Sequence, residues 1–443
     1  MVFNGVPAGH PDEDALNIAL ALLNNNSQTG TMDKLVLDGE LTSAGAYTRT
    51  FREQGRAIVA AIPLYDENQR RFESTKSAEK KALKAIQQIA NGEFEDWKID
   101  AIKAEKCRQF DLEMESNEDK AMILMNAFYN EQDLGDILNY KDKIMAITTD
   151  DIKRVAKKYL SDNYLALYIE KGKPDKNAKI EKPGYKTRRT IRVGKESLYA
   201  TQFKNLPIGQ MEEKFADYGE VQIKQLNDRS KMYYTPNKEN NVFQLVVQYG
   251  AGEREFPKLG YAAQLMNNAG IMGAYEPQEL KEELSKLNAT CHVTADDDNL
   301  YIIMEGYEAT LPQACQLLSR QILMPKLDEK QLARLKGSAM GMRQQRKDNV
   351  SILNEALRQY MLYGEKSDYI KELTDKEIYE LQISELTGDI NRASNYEAKV
   401  FFTGTLPFDQ VYDILSKNLP LVANERPSNS PQAKEMMPVT ENT

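Results

Sequence analysis

Histidine is almost missing from this chain. Its 443 residues contain two, His10 and His292. His10 lies in the string GHPDED, where the step His10-x-x-Glu13 looks like half of a zinc motif. Pro11, however, makes that stretch the start of a helix, so a structural role is expected, with Asp12, Glu13 and Asp14 favouring the positive helix terminus. His292 alternates with Cys291 and Val293 and is expected on the polar face of a strand.

Cysteine is also sparse. Cys107, Cys291 and Cys315 are odd in number and widely spaced, so no disulfide framework is implied. Three buried free thiols suit the cytosol, and equally a periplasmic protein without disulfides, so the compartment stays open. No cysteine pair has zinc-ligand spacing, and neither a G-x-x-x-x-G-K-S/T loop nor a G-x-S-x-G elbow occurs. Gly250-Ala251-Gly252 lacks the third glycine and following acid of a dinucleotide site and reads as a turn. The longest apolar helical stretch, near Ala15–Leu23, is too short to span a bilayer. The first ten residues carry no basic segment and no long apolar run, and do not read as a signal peptide.

Positive charge is in deficit. With 58 Lys and Arg against 67 Asp and Glu, the net charge is −9, which argues against a nucleic-acid partner. Composition is otherwise that of a globular protein, 41% hydrophobic and 28% charged. The length suggests two or three domains, each large enough to bury a core without metal or disulfides.

Against these absences stands an internal repeat. VFNGVPAGHPDEDALNIALALLNN (Val2–Asn25) and VVQYGAGEREFPKLGYAAQLMNNAG (Val246–Gly270) are each a strand-like run, a turn and an amphipathic helix ending in paired asparagines. ITTDDIKRVAKKYLSDNYLALYIEKG (Ile147–Gly172) and ISELTGDINRASNYEAKVFFTGTLP (Ile383–Pro407) close the two copies. A repeat this long means two copies of one domain rather than a solenoid.

In the first copy, Val2–Val6 predicts a strand and Pro11 to about Asn24 a helix. A hairpin of Ala46–Phe51 and Gly55–Pro63 follows. Helices are predicted from Ser74 to Ala90, ended by Gly92, and from Phe94 to Glu115. A last helix opens on Thr149 as N-cap, before a closing strand at Tyr164–Ile169. The second copy repeats the order: strands at Lys231–Thr235 and Val242–Tyr249, helices at Leu259–Asn268 and Gln278–Leu287, and a hairpin of Ala289–Ala295 and Asn299–Gly306 turning on Asp296–Asp298. Helices then run to Arg392, followed by a strand at Ala398–Thr403 and a helix at Phe408–Leu415.

The expected fold is α+β: two homologous lobes, each an antiparallel-rich mixed sheet covered on one face by helices. The domains are residues 1–171, a linker over 172–217, residues 218–424, and a Pro/Ser-rich tail over 425–443. The basic run Lys182–Lys195 reads as a solvated tether rather than an anion site.

The strings YGAGEREFPKLGYAAQLMNNAG and ELKEELSKLNATCHVTADDDNLYIIMEG resemble the pitrilysin/insulinase family of zinc metallopeptidases. In that family an inverted H-x-x-E-H motif supplies two zinc ligands and a general base, and a downstream Glu completes the metal site. Here Gly260 and Ala262 fit the pattern, but the motif positions are Ala263-Gln264-Leu265-Met266-Asn267. Leu332–Gly337, where the distal Glu would fall, contains no carboxylate. The resemblance therefore implies a non-catalytic lobe.

The first copy, from HPDEDAL onward, resembles the lobe that follows the catalytic one. Of the family's substrate-gripping Arg/Tyr pair, the Tyr position falls on Tyr47 and the Arg position on Glu40. The pair is not intact, and Tyr47 is expected to pack in its hairpin.

Large family members carry four lobes around a chamber, and this chain resembles lobes two and three. The resemblance thus implies an internal segment without catalytic, cofactor-binding or metal-binding residues of its own. Zinc is expected in an upstream catalytic lobe, and the parent protein or assembly is expected to be a zinc metalloendopeptidase. Expected partners are a peptide or small unfolded protein in the chamber, and other lobes or a catalytic subunit. The alternative is a complete non-catalytic partner or scaffold of a separate peptidase subunit. A first strand cut short at Met1 is expected to leave an open sheet edge and a tendency to self-associate.

Overall fold

The computed structural model describes residues 1–66, 71–170, 196–207, 218–347, 349–422 and 426–428, with the single positions 184, 209, 215, 436 and 437. The expected basic tether, Gly184 excepted, lies outside the described residues. Met1–Tyr168 and Val221–Thr443 form one compact unit, and Ile169–Glu220 a second, small one.

The order of the first lobe begins β1 (Val2–Asn4), α1 (Glu13–Ala21), α2 (Thr31–Leu37), β2 (Leu41–Thr50) and β3 (Gly55–Pro63). A two-residue ribbon of β4 (Tyr65–Asp66) and β5 (Arg71–Phe72) leads to α3 (Thr75–Asn91) and α4 (Asp96–Glu113). Then come α5 (Asn117–Asn130), α6 (Leu134–Leu138), α7 (Tyr140–Ala146), α8 (Thr149–Tyr159) and β6 (Tyr164–Leu165). The small unit holds α9 (Leu198–Lys204), a helix where the sequence suggested only tether; Ser197 caps it by accepting from the Ala200 amide at 3.1 Å.

The second lobe opens with a hairpin, β7 (Gln222–Gln225) and β8 (Lys231–Pro236), then β9 (Val242–Tyr249), α10 (Leu259–Met266) and β10 (Gly270–Ile271). Next come α11 (Pro277–Lys286), β11 (Ala289–Ala295), β12 (Leu300–Tyr307), α12 (Leu311–Leu323) and β13 (Pro325–Lys326). A helical run of α13 (Glu329–Lys347), α14 (Val350–Tyr363), α15 (Asp368–Lys371), α16 (Asp375–Tyr379) and α17 (Ile383–Ala393) precedes β14 (Ala398–Gly404) and α18 (Phe408–Asn418).

Sheet order makes the repeat explicit. The first sheet runs β2-β3-β1-β6, antiparallel throughout. The second runs β11-β12-β9-β14-β8-β7, so its first four strands match the first sheet one for one. Its mixed character comes from the parallel pairing of β14 with β8. Both lobes are α+β, each built around its own core. β1 is paired on both sides, so the edges of the first sheet are β2 and the two-residue β6, not β1. The expectation of an open edge at the first strand is thereby corrected, because the hairpin strand β3 and the closing strand β6 flank it.

Local sequence explains most element ends. In α3, Ala78, Ala82, Ala85, Ile86 and Ile89 fall on one buried face. Ser74 accepts from the Lys76 amide at its start, and Gly92 ends it at φ 78°, where an L side chain is disfavoured. The N-cap of α8 is Thr148, not Thr149: its hydroxyl accepts from the Asp151 amide while the Asp151 carboxylate accepts from the Thr148 amide. The first residue with helical geometry is thus one place after the capping side chain.

The closing strand β6 is shorter than the expected Tyr164–Ile169, because β1 offers partners only to Tyr164 and Leu165. α2 and β7 are elements the periodicity did not resolve, whereas β8 falls where a strand was expected; β7 exposes residues on both faces. The tail is not wholly detached, since Arg426 bonds to the carbonyl of Asn395 and accepts from the Glu397 amide.

Polar contacts join the lobes. From α4, Arg108, almost fully buried, donates to the carbonyl of Asn288 and pairs with Glu305 at 3.3 Å. Asn237 and Asn240 both donate to Oε1 of Glu115, at 2.9 and 2.7 Å. Arg334 of α13 donates to the carbonyls of Val36 and Leu37, the exposed negative end of α2. The cores do not merge into one, as is usual where lobes dock rather than fold together.

Candidate functional site

The seam between the first helix of each lobe and the edge strand of its hairpin is where chemistry could reside, and the two lobes treat it differently. In the second lobe, α10 turns Ala263, Leu265 and Met266 into the core, each at most 2% exposed. Asn267 follows the helix and closes the seam: its Nδ2 donates to the Val293 carbonyl at 2.9 Å and its Oδ1 accepts from the Val293 amide at 2.7 Å. The carboxamide acts as one peptide group of a neighbouring strand and covers part of the β11 edge.

These residues do not fit a zinc ion. The positions facing β11 offer a methyl, a thioether packed in the core, and an amide with both functional atoms already bonded. Leu332–Gly337 is committed as well: Leu332 is buried, Arg334 caps α2, and Lys336 donates to the Tyr379 carbonyl at 3.0 Å. Among the described residues no three His, Cys, Asp or Glu side chains converge as a metal site, and no helix is long and apolar enough to cross a membrane.

In the first lobe the seam is open. Thr48 stands two residues before the end of β2, as Val293 does in β11. The asparagine ending the helix turns away here: Asn24 donates to Asp33 Oδ1 at 2.5 Å, and Asn25 bonds Thr29 and the Ala21 carbonyl. A cavity of about 240 Å³ remains between α1, β2 and α4. Asn17, Thr48, Glu105 and Lys106 bring polar groups to it. Thr48 donates to Asn17 Oδ1 at 2.5 Å, and Glu105 accepts from Ser27 at 2.8 Å. Burial lowers the pKa of the Lys106 ammonium, and Glu105 and Asp14 only partly offset this.

Tyr47 does not pack into its hairpin as expected. It is 53% exposed, because the alternation of β2 that turns Thr48 toward Asn17 of α1 turns Tyr47 to the opposite, solvent-facing side of the sheet. Glu40, seven residues earlier, precedes β2 and accepts from Lys81 through its carbonyl at 2.8 Å, so the two do not form a pair of donors. A wider cleft of about 730 Å³ at Arg52, Phe128 and Asp133 is lined by the exposed ion pair Arg52–Glu131.

The histidines are where the sequence placed them. His10 Nδ1 accepts from the Asp12 amide at 2.9 Å, a turn contact before α1. His292 is exposed on β11, opposite the buried Val293. Asp12 does more than favour a helix terminus. It accepts from Tyr159 at 2.7 Å, Arg154 at 2.7 Å and Lys158 at 3.1 Å, tying α1 to α8. Burial pushes its carboxyl up, but those bonds outweigh it and hold it well below the usual range.

Two charged groups with shifted titration, buried Asp33 and half-buried Lys281, lie near the lobe junction. Lys281 of α11 donates to Gln28 at 2.5 Å and to the Asn267 carbonyl at 2.9 Å. Burial depresses it to about 8, and Asp33 opposes that shift. Asp33 is pushed up to about 6 by burial despite bonds from the Asn25 and Gly30 amides and from Asn24. Cys107 and Cys315 are buried, while Cys291 is only partly so; burial raises Cys315 to about 12, leaving it an inert thiol at neutral pH. Sequence reasoning missed Asn17, Lys106, Asp33 and Lys281. The paired asparagines at the two helix ends were the available signal, but their different partners are set by tertiary contacts.

No family model matches the chain, and no curated protein matches it. Among solved structures it is similar to the ferredoxin protease FusC in complex with Arabidopsis ferredoxin, at 12% identity over 98% of this chain and 51% of that one, with a TM-score of 0.46. It is similar to the periplasmic protease PqqL from Escherichia coli, at 11% identity over 100% of this chain and 51% of that one, TM-score 0.42. It is also similar to the peptidase M16 inactive domain from Pseudomonas fluorescens, at 19% identity over 47% of this chain and 52% of that one, TM-score 0.41. The chain spans about half the length of these solved structures.

Proposed function

We propose that this chain supplies two non-catalytic lobes of a zinc metallopeptidase, walling part of a chamber that holds a peptide or small unfolded protein. The observation that carries the reading is the seam of the second lobe, where the metal-ligand positions of the family motif are occupied by core and strand-capping side chains. Zinc and the general base belong, in this proposal, to a separate catalytic lobe or subunit.

Two further features support a partner. α5 leaves Met122, Met125, Phe128 and Tyr129 exposed, and α14, its counterpart in the repeat, leaves Val350, Leu353, Leu357 and Met361 exposed. Apolar faces uncovered at the same place in both lobes suit docking of further lobes, since an isolated protein rarely leaves such faces to water.

The test is direct. Purified chain dialysed against zinc is expected to retain no stoichiometric metal and to hydrolyse no peptide, while co-purifying with a catalytic lobe bearing H-x-x-E-H. Peptide hydrolysis by this chain alone, abolished by a chelator and restored by zinc, would overturn the proposal.

A further inference from the structure

The open seam of the first lobe has the makings of a ligand site. Its counterpart in the second lobe is closed by two hydrogen bonds from Asn267, whereas Asn24 is drawn off by Asp33 and the gap of about 240 Å³ is left. The groups at its wall are mainly donors. Asn17 spends its carbonyl oxygen on Thr48, which leaves its amide N–H groups without a partner among the described residues. Lys106 likewise makes no hydrogen bond and no ion pair among the described residues. The one carboxylate at the wall, Glu105, is engaged by Ser27, and Asp14 pairs with Lys143 at 4.0 Å.

The half-buried Lys106 ammonium has no hydrogen-bond acceptor among the described residues, and an anionic oxygen in the cavity would supply one in a charge-assisted bond. We propose that this cavity binds a carboxylate of a peptide chain, with Lys106 as the counter-charge and Asn17 as a supporting donor. The volume admits a carboxylate and a side chain or two, not a folded segment. That the ligand is a peptide rests on the chamber reading above; the carboxylate preference rests on the cavity itself. The carboxylate could be a chain terminus or an acidic side chain.

The experiment uses the full chain and three unlabelled peptides in isothermal titration calorimetry. These are acetyl-Ala-Leu-Ala-Ala as the free acid, the same sequence as its amide, and acetyl-Ala-Leu-Asp-Ala amide. One of the two acid-bearing peptides is expected to bind about ten-fold or more tightly than the neutral one, the size of a charge-assisted hydrogen bond. Which of the two does so identifies the source of the carboxylate.

Lys106→Met is expected to erase the preference and Lys106→Arg to keep it; if the Met variant loses its native melting transition, Lys106→Gln replaces it. Equal affinities for the three peptides, absence of binding, or a preference that survives loss of the charge would overturn the assignment. Because the readout is binding, such a failure leaves the proposal of non-catalytic lobes standing, whereas chelator-sensitive hydrolysis would remove that proposal without touching this one.

Discussion

Replacing Asn267 with Ala isolates the contact that distinguishes the two lobes. The substitution removes two hydrogen bonds, at 2.7 and 2.9 Å, and leaves the amide and carbonyl of Val293 at a sheet edge without partners. Each bond contributes about 1 kcal/mol net, and a fully buried orphan group would cost about 1–3 kcal/mol. Asn267 is itself only half-buried, so water can reach part of the vacated edge, and a total near 2 kcal/mol follows. For a lobe of this size the melting temperature should fall by about 4–8 °C. Differential scanning calorimetry of the full chain reads this directly.

Asn267→Asp should not rescue the loss, because a carboxylate accepts from the Val293 amide but faces the Val293 carbonyl with a second acceptor. Asn267→His, although it restores a metal-ligand type, should destabilise similarly and bind no zinc, since Ala263 lies in the core. A fall below about 1 °C for the Ala variant would refute the idea that this amide closes the seam.

Three other outcomes are expected. Arg108→Ala strips a nearly buried guanidinium from the Asn288 carbonyl and Glu305. It should weaken lobe docking by about 2–4 kcal/mol, less than a fully buried pair because Glu305 is 28% exposed, with the calorimetric transitions of the two lobes separating. Asp33 holds its proton to about 6, above the unfolded value near ~3.9, so its contribution to stability is lost as pH rises from about 4 to 6. Lys281 releases its proton near 8 rather than near ~10.4, so stability rises again over that upper interval. Urea midpoints at pH 5, 7 and 9 test this, and Lys281→Met should abolish the alkaline rise. Gly55→Ala would place a Cβ 1.9 Å from the Val6 carbonyl oxygen and should cost more than about 2 kcal/mol, whereas Gly45→Ala meets nothing within 4 Å and should be tolerated. Thermal melts distinguish the two.

The repeat was legible because it is written in periodicity. A two-residue alternation in β9 and β12 and a three-to-four-residue spacing in α3 and α8 each bury one face, and a solvent-facing slip would expose a whole row of apolar side chains. Turns and caps were legible where one residue type is required, as at Gly92 and Thr148, though the cap was read one position late. The short α2 escaped, and β6 was predicted too long, because their extent depends on tertiary partners.

By itself, then, the sequence determined two like-ordered lobes and the lack of imidazoles at the second lobe's helix, since both are properties of residue order and type. Only the tertiary structure decided what those positions do instead. Asn24 and Asn267 end equivalent helices with the same side chain, yet one is drawn to Asp33 and the other to the edge of β11. Which acceptor lies within 3 Å of an amide is fixed by how segments 9 residues apart in one lobe and 26 apart in the other pack, and the paired asparagines alone do not encode it. The open cavity beside Lys106 and the buried position of Asp33 follow from that choice.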